Sequence, residues 1–79
     1  MVEFKSNVKF YEKEKSGVKN NSVRFYDTDP RFTLLDDFES GRIKDLSIKT
    51  VNRETGESFI RKITDVSRVK NMYIISWEV

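Results

Sequence analysis

The stretch that decides the fold is residues 43–79, IKDLSIKTVNRETGESFIRKITDVSRVKNMYIISWEV. From Leu46 to Val51, successive side chains divide into two sets at the period of two that is typical of a strand. Residues 52–57 carry turn chemistry, and Gly56 can adopt the positive φ that such a turn requires. Phe59–Val66 is predicted to be the next strand, so the two segments form a hairpin.

The last segment predicts a central strand. A basic turn is expected over Ser67–Asn71, and Met72–Val79 is a nearly continuous apolar run. Such a run is typical of a strand that is covered on both faces. The second half of the chain therefore contributes three consecutive strands.

Upstream of this stretch, the sequence predicts two short helices. Asn7 can cap a helix that runs to about Lys15, and Ser16-Gly17 ends it, because glycine is the usual residue just past a helix C-terminus. Thr28-Asp29-Pro30 begins the second helix, since a capping residue followed by proline is a helix start. This helix is predicted to end at about Glu39.

Two further segments are predicted to be extended. Residues 2–4 form an edge strand or an extended lead-in. Residues 22–26 form a strand in which Val23 and Phe25 lie on the face opposite Arg24, because successive side chains of a strand point to opposite sides.

The order of these elements is strand, helix, strand, helix and then three strands. It predicts an α+β, strand-dominated fold, and a small open β-barrel of about five strands with two short helices fits it best. The chain has 79 residues, which allows a single domain over residues 1–79.

The composition excludes several classes of site. The chain has no cysteine and no histidine, so disulfides, zinc sites and imidazole- or thiolate-based catalysis are excluded. No segment approaches the ~20 apolar residues of a membrane-spanning helix, and the first residues lack the apolar region of a signal peptide. We expect a cytoplasmic protein without membrane contact, cofactor or metal ion, present as a monomer or a weak dimer.

The net charge of +2 is unevenly spread along the chain. Residues 1–24 carry six Lys and Arg against three acids, residues 25–45 carry three against six, and residues 46–79 carry six against four. An acidic middle between basic flanks predicts a positive face opposite a negative one. An ordinary solvated surface gives the same distribution, so both interpretations stay open.

One segment predicts a binding site, Gly17-Val18-Lys19-Asn20-Asn21-Ser22-Val23-Arg24, of the form G-x-K-x-x-S-x-R. The glycine lets the backbone turn after the first helix, and strand alternation places Ser22 and Arg24 on the same side. Lys19 can converge there, and an ammonium, a hydroxyl and a guanidinium together suit a phosphate or the polar edge of a base. The candidate ligand-binding residues are Lys19, Ser22, Arg24, Gly17 and Asn21.

This segment resembles the hallmark of the ASCH domain, G-x-K-x-x-[E/T]-x-R, a family related to the PUA domain. The resemblance extends loosely to the preceding helix and to the closing strand around residues 73–77, and it is greatest to the short members from phages and prophages. It implies a small PUA/ASCH-like β-barrel with a cleft beside the motif, and a role in binding RNA or modified nucleosides.

Three functions remain open. The first is a non-catalytic RNA- or nucleotide-binding module. The second follows from the resemblance, because some ASCH members are acetylcytidine amidohydrolases that use the motif lysine, a threonine three residues later and a downstream glutamate. Lys19 and Ser22 match the first two positions, but neither Glu57 nor Glu78 is a convincing counterpart of the glutamate. The third is a phage-encoded protein that binds a host protein through the acidic helix Pro30–Glu39.

Some of these residues also have plain structural interpretations. Lys19–Asn21 can be a polar loop, and Arg24 an exposed strand residue that pairs with Asp27 or Asp29. Aromatic residues near the end of the chain can stack on a base or form the core, and acidic pairs can hold Mg²⁺ or cap helices. Further basic residues either extend the binding surface or only solubilise the protein. The aromatic residues are Phe59, Tyr73 and Trp77. The acidic pairs are Asp36-Asp37 and Asp27/Asp29. The further basic residues are Arg61-Lys62 and Arg68-Lys70.

Overall fold

Five strands and two helices make up the computed structural model, which describes residues 1–79. In chain order they are β1 (Val2–Ser6), α1 (Val8–Ser16), β2 (Asn21–Phe25), α2 (Pro30–Glu39), β3 (Ser47–Asn52), β4 (Ser58–Val69) and β5 (Met72–Trp77). This is the order of elements that the sequence predicts. The strands form one sheet in the order β1-β3-β4-β5-β2, in which β1 is parallel to β3 and all other neighbours are antiparallel.

The long strand β4 curls this sheet. Its first part, Ser58–Lys62, pairs with β3, and its second part, Ile63–Val69, pairs with β5. The register shifts between Ile63 and Asp65, and an extra residue in one strand bends that strand and increases its twist. The result is a curled half-barrel, so the prediction of a strand-dominated α+β open barrel is confirmed.

The core fills the concave side of the sheet. Buried side chains alternate along β3 and β5, and Phe32 and Leu35 of α2 cover them. Burial of each large apolar side chain contributes about 1.5–3 kcal/mol, so this cluster is the main source of stability. Its members are Val2, Phe4, Phe32, Leu35, Leu46, Ile48, Ile63, Val66, Tyr73, Ile75 and Trp77.

Both helices begin and end as their capping residues predict. The Asn7 side chain accepts a hydrogen bond from the backbone N–H of Phe10, and Gly17 ends α1 with a φ of 87°. The Asp29 side chain caps α2 by accepting from the Arg31 N–H, and Pro30 occupies the first turn. Neither helix is both long and apolar enough to cross a membrane.

Two sequence predictions about the last hairpin are wrong. The predicted turn over Ser67–Asn71 is only Lys70 and Asn71, because β4 continues to pair with β5 as far as Val69 opposite Met72. Lys70 accommodates this short turn with a φ of 57°. β5 is central, as predicted, but residues 72, 74 and 76 on its second face are only half-buried, because a curled sheet encloses one face.

Candidate functional site

The edge strands β1 and β2 approach each other across a gap that we call the seam. No backbone hydrogen bond joins the two strands; the side chain of Arg24 joins them instead, and that of Arg31 joins the adjacent helix α2 to β1. Arg24 of β2 donates to the backbone carbonyl of Lys5 at 3.1 Å and to Ser6 Oγ at 3.1 Å. Arg31 of α2 donates to the carbonyl of Glu3 at 2.9 Å. The barrel is therefore closed along the seam by guanidinium groups.

Two clefts open along the seam. The α1 cleft, about 400 Å³ in volume, lies beside α1, and the α2 cleft, about 530 Å³, lies beside α2. The two clefts have four lining residues in common, which are Lys5, Val23, Arg24 and Arg53. The clefts are therefore adjacent along the seam, on either side of Arg24, and we call the two together the trough.

The α1 cleft brings together three of the five predicted site residues. Lys19, Ser22 and Arg24 all line it, and Arg24 Nε donates to Ser22 Oγ at 2.9 Å. The Lys19 ammonium donates to the backbone carbonyl of Asn21 at 2.6 Å. The ammonium, the hydroxyl and the guanidinium thus share one concavity, as the motif predicts.

Gly17 and Asn21 do not line either cleft, and they contribute through the backbone. Gly17 turns the chain at the end of α1, and a Cβ atom at this position would lie 2.6 Å from Cγ1 of Val79. Asn21 supplies only the carbonyl that anchors Lys19. Both residues therefore position Lys19.

Glu14 is a cleft residue that the sequence analysis missed. It lines the α1 cleft although it is only 2% exposed. One carboxylate oxygen accepts from Ser6 Oγ at 3.2 Å, and the other accepts from the Lys19 ammonium at 3.2 Å. Glu14 lies three residues after Tyr11 and therefore on the same face of α1, so its helical spacing from this apolar residue was the signal available in the sequence.

Arg24 has no acidic partner, although it is half-buried. Its three acceptors, Ser22 Oγ, Ser6 Oγ and the Lys5 carbonyl, are all neutral, and it takes part in no salt bridge. Burial lowers the pKa of the Arg24 guanidinium; the charge of Glu14 opposes this effect, and those of Arg31 and Arg53 add to it. Arginine stays protonated in proteins, so Arg24 is a cation with no acid among its direct hydrogen-bond partners; the nearest carboxylate that acts on it, Glu14, is bonded to Ser6 Oγ.

Two further cations stand beside Arg24 without an acid. Lys5 and Arg53 are exposed, line both clefts and take part in no salt bridge. Two other basic residues near β1 are compensated, since Lys49 pairs with Glu3 and Arg31 pairs with Asp29. The net positive charge of the trough is therefore concentrated around Arg24.

The remaining basic residues do not extend this trough. Arg68 pairs with Asp36 and Lys62 pairs with Asp45, and Arg61 donates to the carbonyl of Lys15. None of these basic residues lines either cleft. The alternative in which Arg24 pairs with Asp27 or Asp29 is also wrong, because Asp29 is bonded to Arg31 instead.

The aromatic and acidic alternatives have structural roles. Phe59, Tyr73 and Trp77 are buried, so they do not offer a face to a base. Asp36 accepts from the Tyr73 hydroxyl at 2.8 Å, and Asp37 pairs with Arg42. The structure contains no group of three or more acidic side chains that could hold a metal ion.

Comparison with protein-family models, with curated proteins and with solved structures gave no match to this chain. The resemblance to the ASCH domain therefore stays a prediction that rests on residues 17–24. What the fold and the site define is a small α+β open barrel with a cationic trough along its seam.

Proposed function

We propose that this protein is a small RNA- or nucleotide-binding module of the ASCH/PUA-like type, without catalytic activity, and that it binds a phosphate-bearing ligand in the α1 cleft. One observation carries this proposal. Arg24 is a half-buried guanidinium at the wall of an open cleft, and all its hydrogen-bond acceptors are neutral.

A buried charge without a counter-charge is costly, and it is usually paired in a folded protein. Arginine has five N–H donors, and Arg24 uses three of them within the chain. The remaining donors and the charge suit a phosphate, whose oxygens accept two parallel hydrogen bonds from a guanidinium. Lys5 and Arg53 line the same cleft and add positive charge to it, whereas the charge of Lys19 is paired with that of Glu14.

The position of Glu14 favours a second candidate function, hydrolysis of an acetylated cytidine. This carboxylate is bonded to Lys19 and lines the same cleft as Ser22, although it precedes the motif, whereas the glutamate of the acetylcytidine amidohydrolases follows it. However, Lys19 also holds the Asn21 carbonyl, and Ser22 accepts from Arg24. Both groups are thus engaged in maintaining the cleft, and we favour binding. Incubation with acetylcytidine, followed by chromatography, tests the alternative: absence of turnover eliminates it.

Binding of a host protein through α2 has less support. Two of the three acids of α2 have partners within the chain: Asp36 is bonded to Tyr73 and Arg68, and Asp37 to Arg42. These internal bonds reduce the charge that α2 offers to another protein.

The binding proposal is tested by fluorescence anisotropy with short labelled RNA and DNA oligomers at low salt. We expect Arg24→Met to lower the affinity at least about tenfold, which is the loss of one charge-assisted hydrogen-bonded contact. For the native protein, the logarithm of the association constant should fall linearly with the logarithm of the salt concentration. Each phosphate contact that a variant removes should make this slope shallower by about 0.7.

Arg42→Met is the matched control for this experiment. It removes the same net charge from a side chain that is 78% exposed and lines neither cleft. Equal affinities of Arg24→Met and Arg42→Met would show that only the overall charge matters, and the proposal would be wrong. Absence of binding by the native protein would also contradict it.

A further inference from the structure

The trough extends beyond the α1 cleft, and its far end is lined by an exposed aromatic residue. In β2, Ser22 is buried and Arg24 is half-buried, whereas Val23 and Phe25 are exposed. Phe25 is 64% exposed and lines the α2 cleft, and Phe10, which is 46% exposed, lines the α1 cleft. A large exposed aromatic side chain on an edge strand needs an explanation, because it favours unwanted association.

The cations of the trough follow the direction of β1. Arg31 is bonded to the carbonyl of Glu3, and Arg24 is bonded to the carbonyl of Lys5 and to Ser6. From Glu3 to Ser6 there are three residue steps along β1, which cover about 10 Å. Successive phosphates of a stacked nucleic-acid strand are about 3.4 Å apart along its axis, so the row of cations is longer than one nucleotide needs.

We infer that the trough binds a single-stranded nucleic acid of two or more nucleotides. One nucleotide lies in the α1 cleft with its base against Phe10, the backbone passes Arg24 and Arg53, and the next base stacks on Phe25 in the α2 cleft. This inference rests on the proposed function and specifies its ligand. A cationic groove flanked by aromatic faces is how proteins bind single strands without sequence preference, whereas a duplex keeps its base faces stacked inside.

The inference is tested by comparing adenosine 5′-monophosphate with oligoadenylates of increasing length, from two nucleotides upward, by calorimetric titration. We expect the affinity to rise from the mononucleotide to a length that fills the trough, and then to level off. Phe25→Ala should weaken the binding of the oligonucleotides about fivefold or more, the effect of losing one base–aromatic stack. It should leave the affinity for the mononucleotide unchanged.

Two variants serve as controls. Ile60→Ala removes an apolar side chain that is 53% exposed on β4 and lines neither cleft, so it should change neither affinity. Phe25→Trp keeps an aromatic face and should retain the gain of affinity with length.

The outcomes separate this inference from the proposed function. If the mononucleotide binds in an Arg24-dependent way and longer oligonucleotides bind no more tightly, the inference is wrong and the proposed function stands. A hairpin duplex that binds as well as the single strand likewise overturns the inference. If Phe25→Ala instead dissociates a dimer of the native protein in sedimentation and leaves oligonucleotide binding unchanged, Phe25 belongs to a protein interface and the inference fails. If native protein binds neither the mononucleotide nor any oligonucleotide, the proposed function itself fails.

Discussion

Two arginines occupy the two ends of the seam in nearly the same way. Arg31 at the α2 end donates to the carbonyl of Glu3, and Arg24 at the α1 end donates to the carbonyl of Lys5. Both guanidinium groups lie over the ring of Phe4, at 4.4 Å for Arg31 and 4.9 Å for Arg24. Each therefore links its own element to the free edge of β1.

The two arginines differ in the residue that lies two positions earlier in the chain. Arg31 Nε donates to a carboxylate oxygen of Asp29 at 2.8 Å, whereas Arg24 Nε donates to the hydroxyl of Ser22 at 2.9 Å. The hydrogen bond that Arg31 donates to Asp29 raises the pKa of Arg31, and burial lowers the pKa of Arg24. With similar geometry, the Arg31 guanidinium is paired with an acid within the fold, and the Arg24 guanidinium is not.

Ser22→Asp should remove this difference and have the largest effect. An aspartate would give Arg24 the partner that Arg31 already has; Ser22 is buried, but it lines the α1 cleft. We expect the affinity for RNA oligomers to fall about 10- to 100-fold. The charge-assisted contacts from Arg24 to the ligand are lost, and the negative charge of the new carboxylate repels the phosphate. Fluorescence anisotropy measures this change.

Ser22→Asn is the control for the size of the new side chain. It has the shape of aspartate without the charge, so it should keep most of the affinity. If the Asp and Asn variants bind equally well, the missing acid beside Arg24 is not what makes the α1 cleft a binding site.

Local periodicity explains what was predictable in this site. Ser22 and Arg24 share a side because strand alternation is a property of neighbouring residues, and Gly17 was predictable as the helix end because it follows the capping pattern. Glu14 was harder to find, since glutamate in a short amphipathic helix is usually solvated. Its burial depends on Ser6 and Lys19, which other elements contribute.

Tertiary pairing explains what was not predictable. Arg53 reaches the cleft because the parallel pairing of β1 with β3 places Ser6 opposite Asn52, and the backbone N–H of Arg53 donates to the Ser6 carbonyl. A parallel contact between the first strand and a strand far along the chain leaves no local signal. The seam itself is likewise a consequence of strand order.

Gly17→Ala tests how far the α1 end depends on the backbone turn that presents Lys19. A residue with a Cβ atom in the left-handed region costs about 1–2 kcal/mol, and Gly17 has a φ of 87°. The new Cβ atom would also lie 2.6 Å from Val79. We therefore expect the free energy of unfolding, measured by urea denaturation, to fall by more than the backbone cost alone.

Gly56→Ala separates the two causes of that loss. Gly56 has a φ of 79°, but a Cβ atom there would meet nothing within 4 Å, so this variant should show the backbone cost only. Adding Val79→Ala to Gly17→Ala should bring the two losses closer together. If Gly17→Ala and Gly56→Ala lower the free energy of unfolding equally, the contact with Val79 has no effect on stability.

Asp29→Asn tests the α2 end of the seam, where Arg31 is paired with an acid, and should change ligand affinity the least. Asparagine caps a helix about as well as aspartate, so α2 should remain intact while Arg31 loses its counter-charge. The α2 cleft should then gain affinity for an oligonucleotide, by about two- to fivefold for one exposed ion pair removed. An unchanged affinity would show that Arg31 is too far from the ligand for its compensation to matter.

The same variant has a second readout, which is the dependence of stability on pH. The hydrogen bond from Arg31 lowers the pKa of Asp29 below its ordinary value of 3.8. A carboxylate with a lowered pKa in the folded state stabilises the fold above the unfolded-state pKa, and this contribution is lost as the pH falls through the folded-state pKa. Native protein should therefore lose more stability than Asp29→Asn when the pH falls from neutral to below 3.8. Parallel pH profiles for the two proteins would mean that the ion pair does not stabilise the α2 end, and the contrast between the two arginines would then rest on burial alone.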